Sequence, residues 1–364
     1  MVKISNWQLF WLILTLEISM SMWLTISPAI QAAKQDAWLS LILAGIIGLA
    51  VTLIIIKVCQ QHHSQSLIEL SQTLFGKWVG KLISILYVAT WYVVASNILR
   101  IFAEFIQQTL FHNTPYWIIS ACMVAAITFI TYIGSIESIG RFNEMAGPLL
   151  LISITITLIL NVPNLHLSLL MPVYYDSGTQ SILKGSLSNA SFLGESILLM
   201  MLNPFLAKPQ QALRPALLAI LIPSILTVMT AAMVVATFGN VIGGSVYFPY
   251  FSMVRFINVL GFIQNMDVWI VFIWIFSVYV KLAVYLFVNS YGSAQLLGFK
   301  KWRRMIFFTS PAIFVLSVLP RNLIIALDFK NEVWLGYVFP ILIIGLPLIM
   351  LVMGKLRGTQ AHSR

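Results

Sequence analysis

This sequence is short of charge. Of its 364 residues only 9% are Asp, Glu, Lys or Arg, where a soluble domain carries about a quarter, and 60% are hydrophobic. Water is therefore not the solvent for most of the surface. Cysteine is nearly absent: Cys59 and Cys122 both lie in or beside apolar stretches, which leaves neither a disulfide framework nor CxxC metal spacing. Histidine is missing from the apolar runs, since His62, His63, His112, His166 and His362 all fall in loops or the tail. That placement excludes a histidine relay in mid-membrane. With no Ser/His/Asp set and no metal-ligand cluster either, no enzyme, metal site or cofactor is expected. No polar linker, low-complexity run or charge block divides the chain, so residues 1–364 form one domain. The net charge of +10 does not indicate nucleic acid, because the basic residues are scattered through short loops and not gathered with aromatics.

What the chain does have is apolar length. Ten runs of roughly 20 residues could each cross a hydrocarbon core of about 30 Å. They fall near 7–30, 38–58, 82–109, 115–133, 143–162, 188–206, 214–239, 267–293, 304–320 and 334–354. A secretory signal peptide does not account for the first run, which is too long and contains Glu17. Placing both termini in the cytoplasm assigns fourteen loop and tail Lys and Arg residues inside, against Lys34, Lys184, Arg255, Arg321 and Lys330 outside. Two stretches look interfacial: residues 59–80, with Ser66, Leu67, Leu70, Leu74 and Phe75, and residues 245–265, with Tyr247, Phe248, Tyr250 and Phe251.

The informative residues are polar ones inside spans. Glu17, Arg100, Glu104, Glu195 and Lys281 are ionisable, and a charge at the bilayer centre costs at least about 2.5 kcal/mol on insertion scales. Arg100 and Glu104 are spaced to pair on one helix face. Glu17 and Lys281 fall close to mid-span, where snorkelling is difficult. Two spans also look interrupted, at Glu17-Ile18-Ser19-Met20-Ser21 in the first and at Ser191-Phe192-Leu193-Gly194-Glu195-Ser196 in the sixth. Interrupted segments at matching places in two halves point to inverted-repeat transporters, whose unwound backbone meets a ligand at the midplane. The halves would cover about 1–162 and 188–354. Small polar residues are also common packing residues in membrane helices, so the breaks alone do not decide the matter.

Several stretches together resemble the B subunit of spore germinant receptors, the endospore germination permease family of the amino acid, polyamine and organocation transporter superfamily. They are Ile4-Ser5-Asn6-Trp7-Gln8-Leu9, Gln35-Asp36-Ala37-Trp38-Leu39-Ser40, Phe75-Gly76-Lys77-Trp78-Val79-Gly80-Lys81, and Leu99-Arg100-Ile101-Phe102-Ala103-Glu104-Phe105. Farther on stand Gly134-Ser135-Ile136-Glu137-Ser138-Ile139-Gly140-Arg141, Leu169-Leu170-Met171-Pro172-Val173, Phe192-Leu193-Gly194-Glu195, and Pro340 with Pro347. The likeness covers essentially the whole chain. It implies an all-α membrane protein of ten helices with the leucine-transporter 5+5 fold and broken helices one and six. It further implies residence in the spore inner membrane and assembly with A and C subunits. Function would then be recognition of a small-molecule germinant, often an amino acid, and signalling to those partners; the alternative is a proton-coupled amino acid permease. Two departures stand out. Ser19 and Ser21 occupy a place where glycine is expected, and Gln264-Asn265-Met266-Asp267 is less charged than expected.

The expected ligand contacts are Ser19, Ser21, Leu193 and Gly194 at the breaks, Tyr92 and Ser96 in the third span, and Ser277 in the eighth. Interhelical hydrogen bonding is an equal alternative for Tyr92, Ser96 and Ser277. Lys281 is expected to act as a built-in cation between spans one and eight, held by Glu17, Glu195 or free carbonyls. Glu17, Arg100, Glu104, Glu195 and Lys281 make up the expected charge network.

Overall fold

The computed structural model describes residues 3–62, 64–258, 266–320 and 330–362. His63, Gln264, Asn265, Arg321 and Arg364 lie outside them, as do the side chains of Lys330 and His362. Among the described residues the secondary structure is helical, with one isolated parallel bridge between Ile4 and Leu206. The chain enters its first helix, α1 (Asn6–Leu24), through a capping box in which Ser5 and Gln8 satisfy each other's backbone N–H groups. After Thr25 it continues as α2 (Ile26–Ala33), so the first apolar run is divided at Thr25, beyond the Glu17–Ser21 stretch where the sequence suggests a break. Ser19 does not unwind α1, because its hydroxyl folds back onto the preceding turn and donates to the Leu16 carbonyl at 2.9 Å.

Next come α3 (Ala37–Gln61), the short α4 (Leu67–Phe75), α5 (Lys77–Thr109) and α6 (Tyr116–Asn161). The interfacial helix expected within 59–80 is α4, started by a second capping box at Ser66 and Glu69. Helix α6 joins two expected spans across Ser135, whose φ of 62° interrupts the helical backbone. Then α7 (Gly178–Leu193) gives way to a 3-10 turn over Gly194–Leu198, a single turn α8 (Leu199–Leu202) and another 3-10 turn over Asn203–Phe205. The sixth run is thus broken where its glycine stands. Helices α9 (Leu213–Ser245), α10 (Pro249–Arg255), α11 (Met266–Leu297) and α12 (Ile306–Val318) follow. A π-helical stretch, Lys330–Gly345, leads into the terminal helix Leu346–His362.

Seven described helices are long and apolar enough to cross a membrane. The sixth expected span falls outside that set because its turns are interrupted, and α12 because it has only 13 residues. Helix α11 is the axis of the bundle. It packs on α1, α5 and α6, and Val280–Ser290 is buried without a break. A helix apolar and enclosed on every side belongs to a core, and such a core positions any polar side chain it carries with little freedom.

Candidate functional site

Three segments meet at one buried polar layer. From α11, the Lys281 ammonium lies 2.7 Å from Glu195 Oε2 and donates to the Leu16 carbonyl of α1 at 2.9 Å. Glu195 sits in the 3-10 turn that follows α7, where the Gly194 break carries it into the interior. Lys281 is 0% exposed and Glu195 is 3%, so the pair is cut off from water. Its ammonium also stands 5.8 Å from the centre of the Phe192 ring. Tyr285, one turn along α11, lies within electrostatic reach of Glu195 and Glu17. Glu17 of α1 lies within electrostatic reach of both Glu195 and Lys281. Two acidic side chains thus lie around one ammonium.

Above and below this layer the bundle is filled by aromatic rings. Trp23 stacks on Trp274 at 4.4 Å, and Phe105, Tyr250 and Phe251 close around them. The Trp274 indole donates to the Ser19 carbonyl at 2.6 Å, a second bond from α11 to the α1 backbone. Toward the C-terminal end of α11, Phe205, Phe287, Tyr291 and Trp302 form a second cluster. At 1.5 Å per residue, seven residues of α11 separate Trp274 from Lys281 by about 10 Å, and six separate Lys281 from Phe287 by about 9 Å. The charges therefore lie between two aromatic clusters of the packed core.

The remaining candidate residues distribute differently. Ser96 donates to Val93 and Ser277 to Trp274, each within its own helix. Tyr92 is shared between Ser293 of α11 and Thr309 of α12, both at 3.1 Å, which places it among interhelical bonds. Leu193 packs on α3, where a Cβ built on Gly48 would come within 2.6 Å of it. Gly194 faces Ile343, whose Cγ2 lies 2.5 Å from where a Cβ would stand. Its missing side chain lets the π-helical stretch approach closely. Arg100 and Glu104 pair on α5, and Arg100 also covers the Tyr116 ring at 3.8 Å and reaches the Ser317 carbonyl. That pair is separate from the Lys281 layer. Trp274 and Tyr285 carry no signal of their own in an aromatic-rich run, although Tyr285 stands four residues from Lys281, the spacing of a shared helix face.

The comparisons with known proteins agree with this architecture. A family model described as spore germination protein matches residues 3–324. Spore germination protein YndE of Bacillus subtilis (strain 168) is 26% identical over 335 residues, covering 90% of this chain and 89% of its own. Spore germination protein KB of the same organism is 25% identical, covering 87% and 84%. Spore germination protein GerQB of Bacillus cereus is 24% identical, covering 96% and 95%. Among solved structures, the nucleobase-cation-symport-1 family transporter Mhp1, closed with bromovinylhydantoin bound, superposes with a TM-score of 0.64 at 12% identity, covering 93% of this chain and 78% of that one. MhsT in complex with L-phenylalanine gives 0.65 at 14%, covering 95% and 86%. The fold is that of the leucine-transporter type.

Proposed function

The chain belongs to the spore germination protein family, and from that premise we propose that it is the germinant-binding subunit of a receptor. It holds a small amino-acid-like ligand in the polar layer between α1, the Gly194–Leu198 turn and α11. It passes the binding event to A and C partner subunits in the spore inner membrane, with its termini in the cytoplasm and its two halves as inverted repeats.

The observation that carries this reading is the Lys281 bridge. One ammonium ties the turn of the sixth run, through Glu195, to the backbone of the first, through Leu16. In this fold an unwound segment beside a second helix is where ligands and coupling ions are held. A covalently fixed cation at that place keeps the bundle in one arrangement without an ion gradient. A ligand that competes for Glu195 or for the α1 backbone shifts the balance by its differential affinity for the two arrangements. Signalling needs only that shift, whereas transport needs the passage to open on both sides in turn.

Proteoliposomes holding this chain alone test the proposal. A receptor binds labelled amino acid to saturation at one equivalent per chain, without accumulation in the lumen. Concentrative uptake driven by a proton gradient overturns the receptor reading in favour of a proton-coupled permease.

A further inference from the structure

The basic residues are spread along the chain, but one connection concentrates four of them. Helix α11 ends in a Schellman turn: Gly298 takes a φ of 74°, its N–H bonds the Gln295 carbonyl, and the Phe299 N–H bonds the Ala294 carbonyl at 2.8 Å. The chain then passes Lys300, Lys301, Arg303 and Arg304 before α12 begins at Ile306. All four are exposed, and among the described residues none is ion-paired with a carboxylate. The turn that carries them is fixed from beneath. Trp302 packs edge-on against Phe287 with ring centres 5.1 Å apart, and Met305 is buried. The guanidinium of Arg303 lies 5.9 Å from the centre of the Trp302 ring. Exposed apolar side chains flank the cations on both sides, Leu297 and Phe299 before them and Phe307 and Phe308 after them. The hydrocarbon boundary therefore runs through this connection.

We propose that this connection is a binding site for the headgroups of anionic phospholipids, in the leaflet at the end of the bundle where α1 begins. Phe205 fixes that end, since its ring packs on Phe287 and its carbonyl accepts the Ile4 N–H at 2.7 Å. Helix stability does not explain the cations. Arg303 and Arg304 lie in the 3-10 turn that leads into α12, where the positive end of the helix dipole opposes them. A phosphodiester suits the place. Each guanidinium can take two phosphate oxygens at once, and the two ammonium groups add point charges. A lipid also accounts for the apolar flanks, because its acyl chains cover the phenylalanines while its headgroup meets the cations. An acidic protein surface would satisfy the charges alone. Clusters of basic residues directly beside a spanning helix are the pattern that such lipid recognition takes. The site is independent of the germinant-binding reading.

The test uses the full chain, purified in a neutral detergent and stripped of lipid. It is titrated with dioleoyl phosphatidylglycerol or dioleoyl phosphatidylcholine, and the lipid retained is counted by native mass spectrometry. Phosphatidylglycerol should bind about tenfold more tightly or better, and the preference should shrink as salt rises. The variant Lys300→Gln/Lys301→Gln/Arg303→Gln/Arg304→Gln should lose about 100-fold or more in affinity for phosphatidylglycerol, since each cation near an anionic surface is worth roughly fivefold. The control Lys77→Gln/Lys81→Gln removes two exposed cations at the start of α5 and should change that affinity by less than about twofold. Equal binding of the two lipids overturns the site. So does a control that loses as much per charge as the fourfold variant, because the attraction is then diffuse. Inorganic phosphate that displaces phosphatidylglycerol at equal concentration assigns the cations to a free anion, and poly-L-glutamate that binds where the lipid does not assigns them to an acidic protein; either result also overturns it. Should the fourfold variant fail to fold, Lys300→Gln/Lys301→Gln, which leaves the turn at Trp302–Met305 unaltered, decides by the same comparison with the control.

Discussion

Two buried ion pairs sit in this bundle, and they differ in what they join. Arg100 and Glu104 are four residues apart on α5, so the pair survives any rigid movement of that helix. Lys281 and Glu195 are on different segments, 86 residues apart by their numbers, and the same ammonium also holds α1. Relative motion of α1, the Gly194–Leu198 turn and α11 must break one of those bonds. Solvent adds to the contrast: the side chains of the first pair are 2% and 11% exposed and those of the second 1% and 3%. The lesson is that burial alone does not make a charge a switch. A switch needs its partners on parts that move separately.

The contrast breaks most sharply at Lys281. Lys281→Met leaves Glu195 buried without a cation and should cost about 3–5 kcal/mol, while the double variant Lys281→Met/Glu195→Gln, which removes both charges, should regain most of it. Thermal unfolding in detergent or nanodiscs measures both. If the double variant is no more stable than the single one, the pair is not the unit of stabilisation. Arg100→Met should cost less, about 1–3 kcal/mol, because Glu104 sits nearer the rim, and should leave the germinant threshold unchanged. A changed threshold in that variant would put the α5 pair in the switch as well. Trp274→Phe removes the indole donor to the Ser19 carbonyl and keeps most of the ring stacking, for a loss of about 1 kcal/mol. A loss several times larger would mean that the Trp274 bond, and not Lys281, sets the position of α1.

Much of the fold is legible because lipid imposes it. Apolar length marks the helices, Ser5 with Gln8 and Ser66 with Glu69 mark two helix starts, and Gly194 marks the 3-10 turn. Glu17, Glu195 and Lys281 stand out for the same reason, as charges where hydrocarbon tolerates few. The fate of the hydroxyls is not legible. Ser19, Ser96 and Ser277 each bond their own helix, a choice that depends on rotamers and close neighbours and leaves no pattern in the chain. Gly194 tells of a break but not of its direction, and the structure turns it toward Ile343. Trp274 is one aromatic among many in a run that includes Trp269, Phe272 and Phe276, and only the packing of α11 on α1 brings its N–H to Ser19.

In the proposed function, the Lys281 bridge holds the bundle in its resting arrangement. The most direct measurement is the germinant concentration that half-activates spores carrying Lys281→Met/Glu195→Gln in place of the native chain, at matched protein level. The account predicts a lowered threshold or germination without germinant. An unchanged dose–response curve, with no spontaneous germination, would reduce the bridge to a packing contact and contradict the account.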